Sequence, residues 1–297
     1  MITYHTGVLL QEGVDALEVR KNHKYIDATL GGGSHTAEIV KRGGTVLGID
    51  VDLDSIEYNL ANFRSEIADG KLQIARGNFA KIDEIAKING FLTVSGIIFD
   101  LGVSSHQLDT PSRGFSYQKP GPLDMRMDSE LSVKASDLIN GLGKGELYEL
   151  FKNFGEEHRA RIISENISSA RRIAPITTTG ELVEILARSY GFNNLSDFAK
   201  AQSSKKAFQA LRIAVNSEIE NLNMTIPKSL ELLEPYGRLV IITFHSIEDR
   251  VVKQIFLKLE EEKKGKILTK KPILPSISER MQNSRSKSAK MRIFEKL

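Results

Sequence analysis

The chain has 297 residues, 40% hydrophobic and 27% charged, the balance of an ordinary folded protein rather than a disordered or fibrous one. No apolar run approaches a membrane helix, Met1-Ile2-Thr3-Tyr4-His5 lacks the regions of a secretory signal, and the absence of cysteine excludes disulfides, thiolate catalysis and Cys-ligated zinc. The net charge of +3 hides an asymmetry, because residues 263–297 carry +9 and the rest −6.

In chain order, short apolar runs at 24–28, 45–49, 71–75 and 95–99 alternate with helix-length segments, which predicts a parallel sheet with crossover helices. The first run ends in Asp27 and leads into Gly31-Gly32-Gly33-Ser34-His35-Thr36; the second ends in Asp50, 19 residues after Gly31. The fourth run ends in Asp100-Leu101-Gly102-Val103-Ser104-Ser105, after which the rhythm breaks. From about 108 to 206 come a loop rich in Pro and Gly and then segments of helical periodicity. Rhythm returns with Phe208, Leu211, Val215, Ile219 and Leu222 on one helical face, a strand over 238–244, and a last strand at Met291–Phe294. The expected fold is α/β, a Rossmann-like doubly wound sheet formed by 1–107 and 207–297, with a helical subdomain inserted at 108–206.

Ligands of such sheets bind outside the carboxyl ends of the strands, where Gly31, Gly33, Asp50, Asp100 and Phe244-His245-Ser246 fall. The glycines allow a close backbone approach, and Asp50 is placed to accept hydrogen bonds from ribose hydroxyls. A dinucleotide fingerprint needs a third glycine, and Thr36 stands in its place. Asp27 adds negative charge beside the loop, which suits a cationic ammonium or sulfonium better than a diphosphate. S-adenosylmethionine is therefore expected ahead of NAD, and a ligand-free glycine turn is the plain alternative. The basic tail predicts either a phosphate-facing element or a solvated extension.

Five longer strings carry a resemblance. They are Asp100-Leu101-Gly102-Val103-Ser104-Ser105-His106-Gln107-Leu108-Asp109, Arg113-Gly114-Phe115-Ser116, Gly121-Pro122-Leu123-Asp124-Met125-Arg126-Met127-Asp128, Phe208-Gln209-Ala210-Leu211-Arg212-Ile213 and Phe244-His245-Ser246-Ile247-Glu248-Asp249-Arg250. They resemble the bacterial ribosomal RNA small-subunit methyltransferase H (MraW) family, and the resemblance runs nearly end to end, from His5 to Arg292. The resemblance implies transfer of a methyl group from S-adenosylmethionine to N4 of a cytidine in the decoding region of 16S rRNA. It implies cofactor contacts at Gly33, Ser34, His35, Asp50, Phe79, Asp100 and Gln107. Phe79 follows a strand end, where its face can stack on adenine. Asp100 is the first candidate to accept the proton, ahead of Asp124 and His245. For RNA phosphates the candidates are Arg113, Arg126, Arg212 and Arg250, with Arg285, Lys287, Lys290 and Arg292 in the tail. Phe115 and Tyr117 are candidates to stack on the target base.

The chain departs from that family in places. Gly7 stands where proline is usual, Ser34 replaces a glycine, and Gln202-Ser203-Ser204-Lys205-Lys206 replaces His-Pro-Ala-Thr-Arg. Lys205 and Lys206 keep positive charge for RNA without the bidentate fork of arginine. The competing expectations are a non-catalytic rRNA-binding assembly factor with the same fold and, further behind, an NAD-dependent oxidoreductase. The partner expected is 16S rRNA or the small subunit, in the cytoplasm, away from membranes and with no metal; a homodimer is left open.

Overall fold

In the computed structural model, which describes residues 7–297, the chain falls into two units. Among the described residues, one joins 7–102 to Ile219–Leu297; the other is the continuous stretch Val103–Glu218. The boundaries stand at 102/103 and 218/219 rather than at 107/108 and 206/207. A break before residue 207 would cut the helix Asp197–Asn216, whose Ala207, Phe208, Leu211 and Val215 all pack into the core of the second unit. The apolar face expected to run from Phe208 to Leu222 is also divided. The helix stops at Ser217, in the left-handed conformation at φ 49°, and a new helix, Glu218–Leu232, carries Leu222 into the core of the first unit.

Among the described residues the first unit holds seven strands: β1 Lys24–Asp27, β2 Thr45–Asp50, β3 Leu72–Arg76, β4 Val94–Asp100, β5 Leu233–Thr243, β6 Gly265–Ile267 and β7 Lys290–Lys296. Their order is β3-β2-β1-β4-β5-β7-β6, with β1 to β5 parallel and β7 antiparallel to both of its neighbours. The order reverses between β1 and β4, which is the switch point of a doubly wound sheet.

Both faces of the sheet are covered, so the strands read as continuous apolar runs rather than alternating ones. Ile26, Leu47, Ile97, Phe99, Leu239 and Ile241 pack on one side against Leu222, Ile226, Val252 and Phe256. Tyr25, Val46, Ile98, Val240 and Ile242 pack on the other against Val14 and Ile39.

The second unit has its own core, built from Ile139, Leu147, Phe151, Ile163, Ile167, Leu182, Leu186, Phe208 and Leu211 on five helices: Ala135–Gly141, Lys144–Gly155, Ala160–Ala170, Thr179–Ser189 and Asp197–Asn216. Among the described residues no helix is long and apolar enough to cross a membrane.

Candidate active site

The glycine loop follows β1 and opens the helix Ser34–Lys41. Gly31 and Gly33 both sit at positive φ, 49° and 75°, which glycine adopts without a Cβ penalty. At Gly33 a side chain would also collide with Asn59 and Phe63. The helix Leu53–Asn62 braces the loop through residues one turn apart: Ser55 Oγ donates to Gly31 O at 2.7 Å, and Asn59 Nδ2 donates to the same carbonyl at 2.8 Å. Neither residue is a candidate from the sequence. The only signal was two small polar side chains at i and i+4 on a face that had to be buried.

Asp50, at the end of β2, is half-buried and closes the loop from the other side. It accepts from Gly31 N at 2.7 Å and Asp52 N at 2.9 Å, and it shares the single Ser55 hydroxyl proton, at 2.8 Å, with Gly31 O. Burial raises its pKa against those three hydrogen bonds. Oδ2 is doubly engaged and Oδ1 singly, so a lone pair of Oδ1 remains for a further donor.

Asp27 is buried beneath the loop, where burial raises its pKa to about 6. Thr36 Oγ1 donates to it at 2.8 Å, which shows why a threonine occupies the place of a third glycine. That position anchors an acid instead of approaching a pyrophosphate.

Asp100 ends β4, its amide donating to Thr29 Oγ1 at 2.6 Å. Its pKa lies well above the usual carboxylate range, through burial first and then the nearby Asp27, Glu248 and Glu279. Its Oδ1 is buried with no hydrogen-bond partner among the described residues. His35 Nδ1 stands 3.8 Å from its Oδ2. Burial lowers the pKa of His35 to about 4, so the ring is neutral at pH 7, and its Nε2 also lacks a partner among the described residues. A Cβ at Gly7 would come within 2.8 Å of His35 Cε1, so glycine there makes room for the ring.

Phe79 opens a short helical turn after β3 and is divided between solvent and core, its ring edge-on to Phe99 at 5.7 Å. Ser34, the first residue of its helix, is half-buried. His245 serves the architecture: it caps the helix Ser246–Glu261, accepting from Glu248 N at 3.2 Å, while Glu248 accepts from Phe244 N at 2.9 Å.

The candidates on the second unit are largely committed within it. Gln107 is buried and accepts from Ser104 N at 2.9 Å in a capping box. Asp124 is held in a fork by Arg126, at 2.7 and 2.8 Å, and that pairing outweighs its burial and lowers its pKa, which makes it a weak proton acceptor. Arg126 also donates to the carbonyls of Ser129 and Leu131, so its guanidinium is a loop staple rather than a phosphate contact. Arg212 is likewise forked onto Glu218 at 2.8 and 2.9 Å, and Arg113 donates to the carbonyls of Arg126 and Met127. Lys206 Nζ donates to Glu156 O at 2.7 Å, while Lys205 is exposed. Phe115 and Tyr117 both pack with the core of this unit.

The basic tail is not a free extension, because β6 and β7 belong to the sheet. Arg292 is buried in β7 and donates to Asp249 at 2.6 Å, and Lys290 reaches the same carboxylate at 3.1 Å. Arg292 is thereby withdrawn from any phosphate-facing surface. Arg285 is half-buried, and Lys287 and Arg250 are exposed.

The family model described as the MraW methylase family matches residues 2–297. A "Ribosomal RNA small subunit methyltransferase H" of Clostridium botulinum (strain Loch Maree / Type A3) is 43% identical over 99% of both chains. A protein of the same name from Lachnospira eligens is 40% identical over 99% of this chain and 98% of its own. Among solved structures, a rRNA methylase from Streptococcus thermophilus aligns with 100% of this chain and 99% of its own at 13% identity and TM-score 0.46, so the fold rests on the strand order above. By the family match along nearly its whole length and by these identities, the chain belongs to the MraW methylase family.

Proposed function

We propose that the protein transfers a methyl group from S-adenosylmethionine to N4 of a cytidine in the decoding region of 16S rRNA. The observation that carries the reading is the acidic cluster at the carboxyl ends of β1 and β4: Asp27 and Asp100 repel each other beside the glycine loop, and Asp100 Oδ1 has no partner among the described residues. A cation relieves both conditions. S-adenosylmethionine brings an ammonium and a sulfonium, and its ribose fits the open lone pair of Asp50 Oδ1; bound there, it supplies an electrophilic methyl group. The relatives' printed names, which specify the small-subunit ribosomal RNA, support the substrate class.

On this reading the residues divide the work. Asp50, braced by Ser55, holds the ribose, and Phe79 borders the adenine. Gly31 and Gly33 keep the loop open to the ligand. Asp100 does most. The lone pair of cytosine N4 is delocalised into the ring, so nitrogen attacks well only when its N–H groups are held by an acceptor. The Asp100 carboxyl, kept ionised once the cofactor's positive charge offsets burial and the neighbouring acids, is that acceptor, and it takes the proton that the methylated nitrogen loses. Asp124 drops out because Arg126 depresses its basicity, and His245 because its ring nitrogen is used in capping.

The test is methyl transfer from labelled S-adenosylmethionine to unmodified small ribosomal subunits, followed by mass spectrometry of the nucleosides. N4-methylcytidine is expected. Another methylated nucleoside would overturn the N4 assignment, and binding of the cofactor without transfer would favour a non-catalytic assembly factor.

A further inference from the structure

The second unit carries a groove of about 590 Å³ in which none of the residues assigned to cofactor or proton transfer takes part; its walls include Arg159, Tyr190, Phe192, Phe198, Gln202 and Lys205. Three aromatic rings meet there. Tyr190 and Phe192 lie parallel, 4° apart with centroids at 6.3 Å, and Phe198 stands edge-on to Phe192 at 6.2 Å. The platform is held from below. The hydroxyl of Tyr190 donates to the Glu157 carboxylate at 2.7 Å, and the Arg159 guanidinium lies 4.9 Å over the Tyr190 ring while donating to Ser189 O at 3.0 Å.

Phe198 is 71% exposed, so its face is not spent on packing. It begins a stripe on the helix Asp197–Asn216: Phe198, Gln202 and Lys205 stand at i, i+4 and i+7, hence on one face within two turns. An aromatic face, an amide and an exposed cation in that order match a base face, a base edge and a phosphate. An acidic peptide would use the cation and leave the ring face idle. Glu157 is offset by Arg159, so Lys205 and Lys206 leave the groove positive. A second groove shares Glu157 and repeats the pairing of cation with ring, Lys152 Nζ lying 5.2 Å from the centre of Tyr148. The helix runs unbroken from Asp197 to Asn216, which keeps Phe198 and Lys205 in register.

We propose that this groove takes an unpaired nucleotide of the RNA substrate, its base against Phe198 and its phosphate against Lys205. The proposal rests on the RNA reading above and adds a stacking subsite on the second unit. Base–aromatic stacking on that scale suits single strands and is tolerant of sequence.

The chain has no tryptophan, so F198W places its single indole in the groove. Titration of that variant with a short unstructured oligoribonucleotide should quench the indole in parallel with the anisotropy rise of the labelled RNA, and heparin, a polyanion without bases, should not. F198A should weaken wild-type binding by roughly tenfold, with F198W restoring it. K205Q should lower the slope of log affinity against log salt by about 0.7. RNA binding with no quench, with F198A unchanged, or with equal quenching by heparin overturns the subsite and leaves the RNA reading standing. If the wild-type chain neither binds RNA nor methylates small subunits, both fall.

Discussion

Asp27 and His35 are buried on either side of the glycine loop and respond to burial in opposite directions. Asp27 is raised to about 6 and His35 lowered to about 4. For Asp27 the folded state holds the proton more tightly, so its stabilising contribution is full below about pH 4 and is lost as pH rises through about 6. For His35 the contribution is full above about pH 6.5 and is lost as pH falls through about 4. Asp27→Asn should therefore stabilise the folded protein at pH 8 by about 1–3 kcal/mol, an advantage that vanishes near pH 4, while cofactor affinity drops. Urea denaturation at the two pH values measures this, and an equal gain at both would assign the effect to packing. Asp50→Ala should lower S-adenosylmethionine affinity by about tenfold or more in calorimetry, because a ribose acceptor and a brace of the loop go together. Unchanged affinity in a folded variant would remove Asp50 from the site. The acids themselves were legible in the sequence because strand ends are. The braces were not: Ser55 and Asn59 meet Gly31 only after the helix Ser34–Lys41 and the strand β2 have formed between them, and no local pattern announces that meeting.

At the scale of elements, the segment Gly121–Asp128 illustrates how charge misleads when read without partners. Its acid and its arginine suggested catalysis and RNA contact, yet each is the other's ligand, and the arginine additionally ties down two carbonyls. Arg126→Lys keeps the charge but loses the fork, and should destabilise the protein by about 2–4 kcal/mol in a thermal melt. A melt within error of wild type would return Arg126 to the pool of ligand contacts. The same distinction separates two basic residues of the tail. Arg292→Gln strips a buried partner from Asp249 and should destabilise by about 3 kcal/mol. Lys287→Gln should leave stability alone and reduce the salt dependence of RNA binding by about 0.7–0.9 in slope. Helical periodicity carried its own error, since residues 208–222 hold one apolar spacing across two helices. Ser217 turns the chain at positive φ without glycine, and so without a mark in the sequence.

For the whole molecule, the four leading strands and the interruption after Asp100 were legible because both faces of the sheet are covered, which leaves uniform apolar runs. β6 was not, being three residues long and half polar. The tail was legible in part: the last strand expected at Met291–Phe294 is β7, while β6 brings a second stretch of the basic tail into the sheet. Removal of residues from Lys263 onward should consequently yield insoluble or molten protein by circular dichroism and gel filtration, not a folded enzyme with weaker RNA binding. A folded truncation product would overturn the sheet order. That order also governs when the molecule can be completed. β7 lies between β5 and β6, although both precede it in the chain, so during synthesis β5 presents an open edge and β6 has no neighbour until the segment from Lys290 has emerged. A chain stalled before that point exposes a buried, apolar strand to its surroundings and invites edge-to-edge aggregation. The protein's window of greatest risk is thus the interval between the appearance of β5 and the appearance of β7.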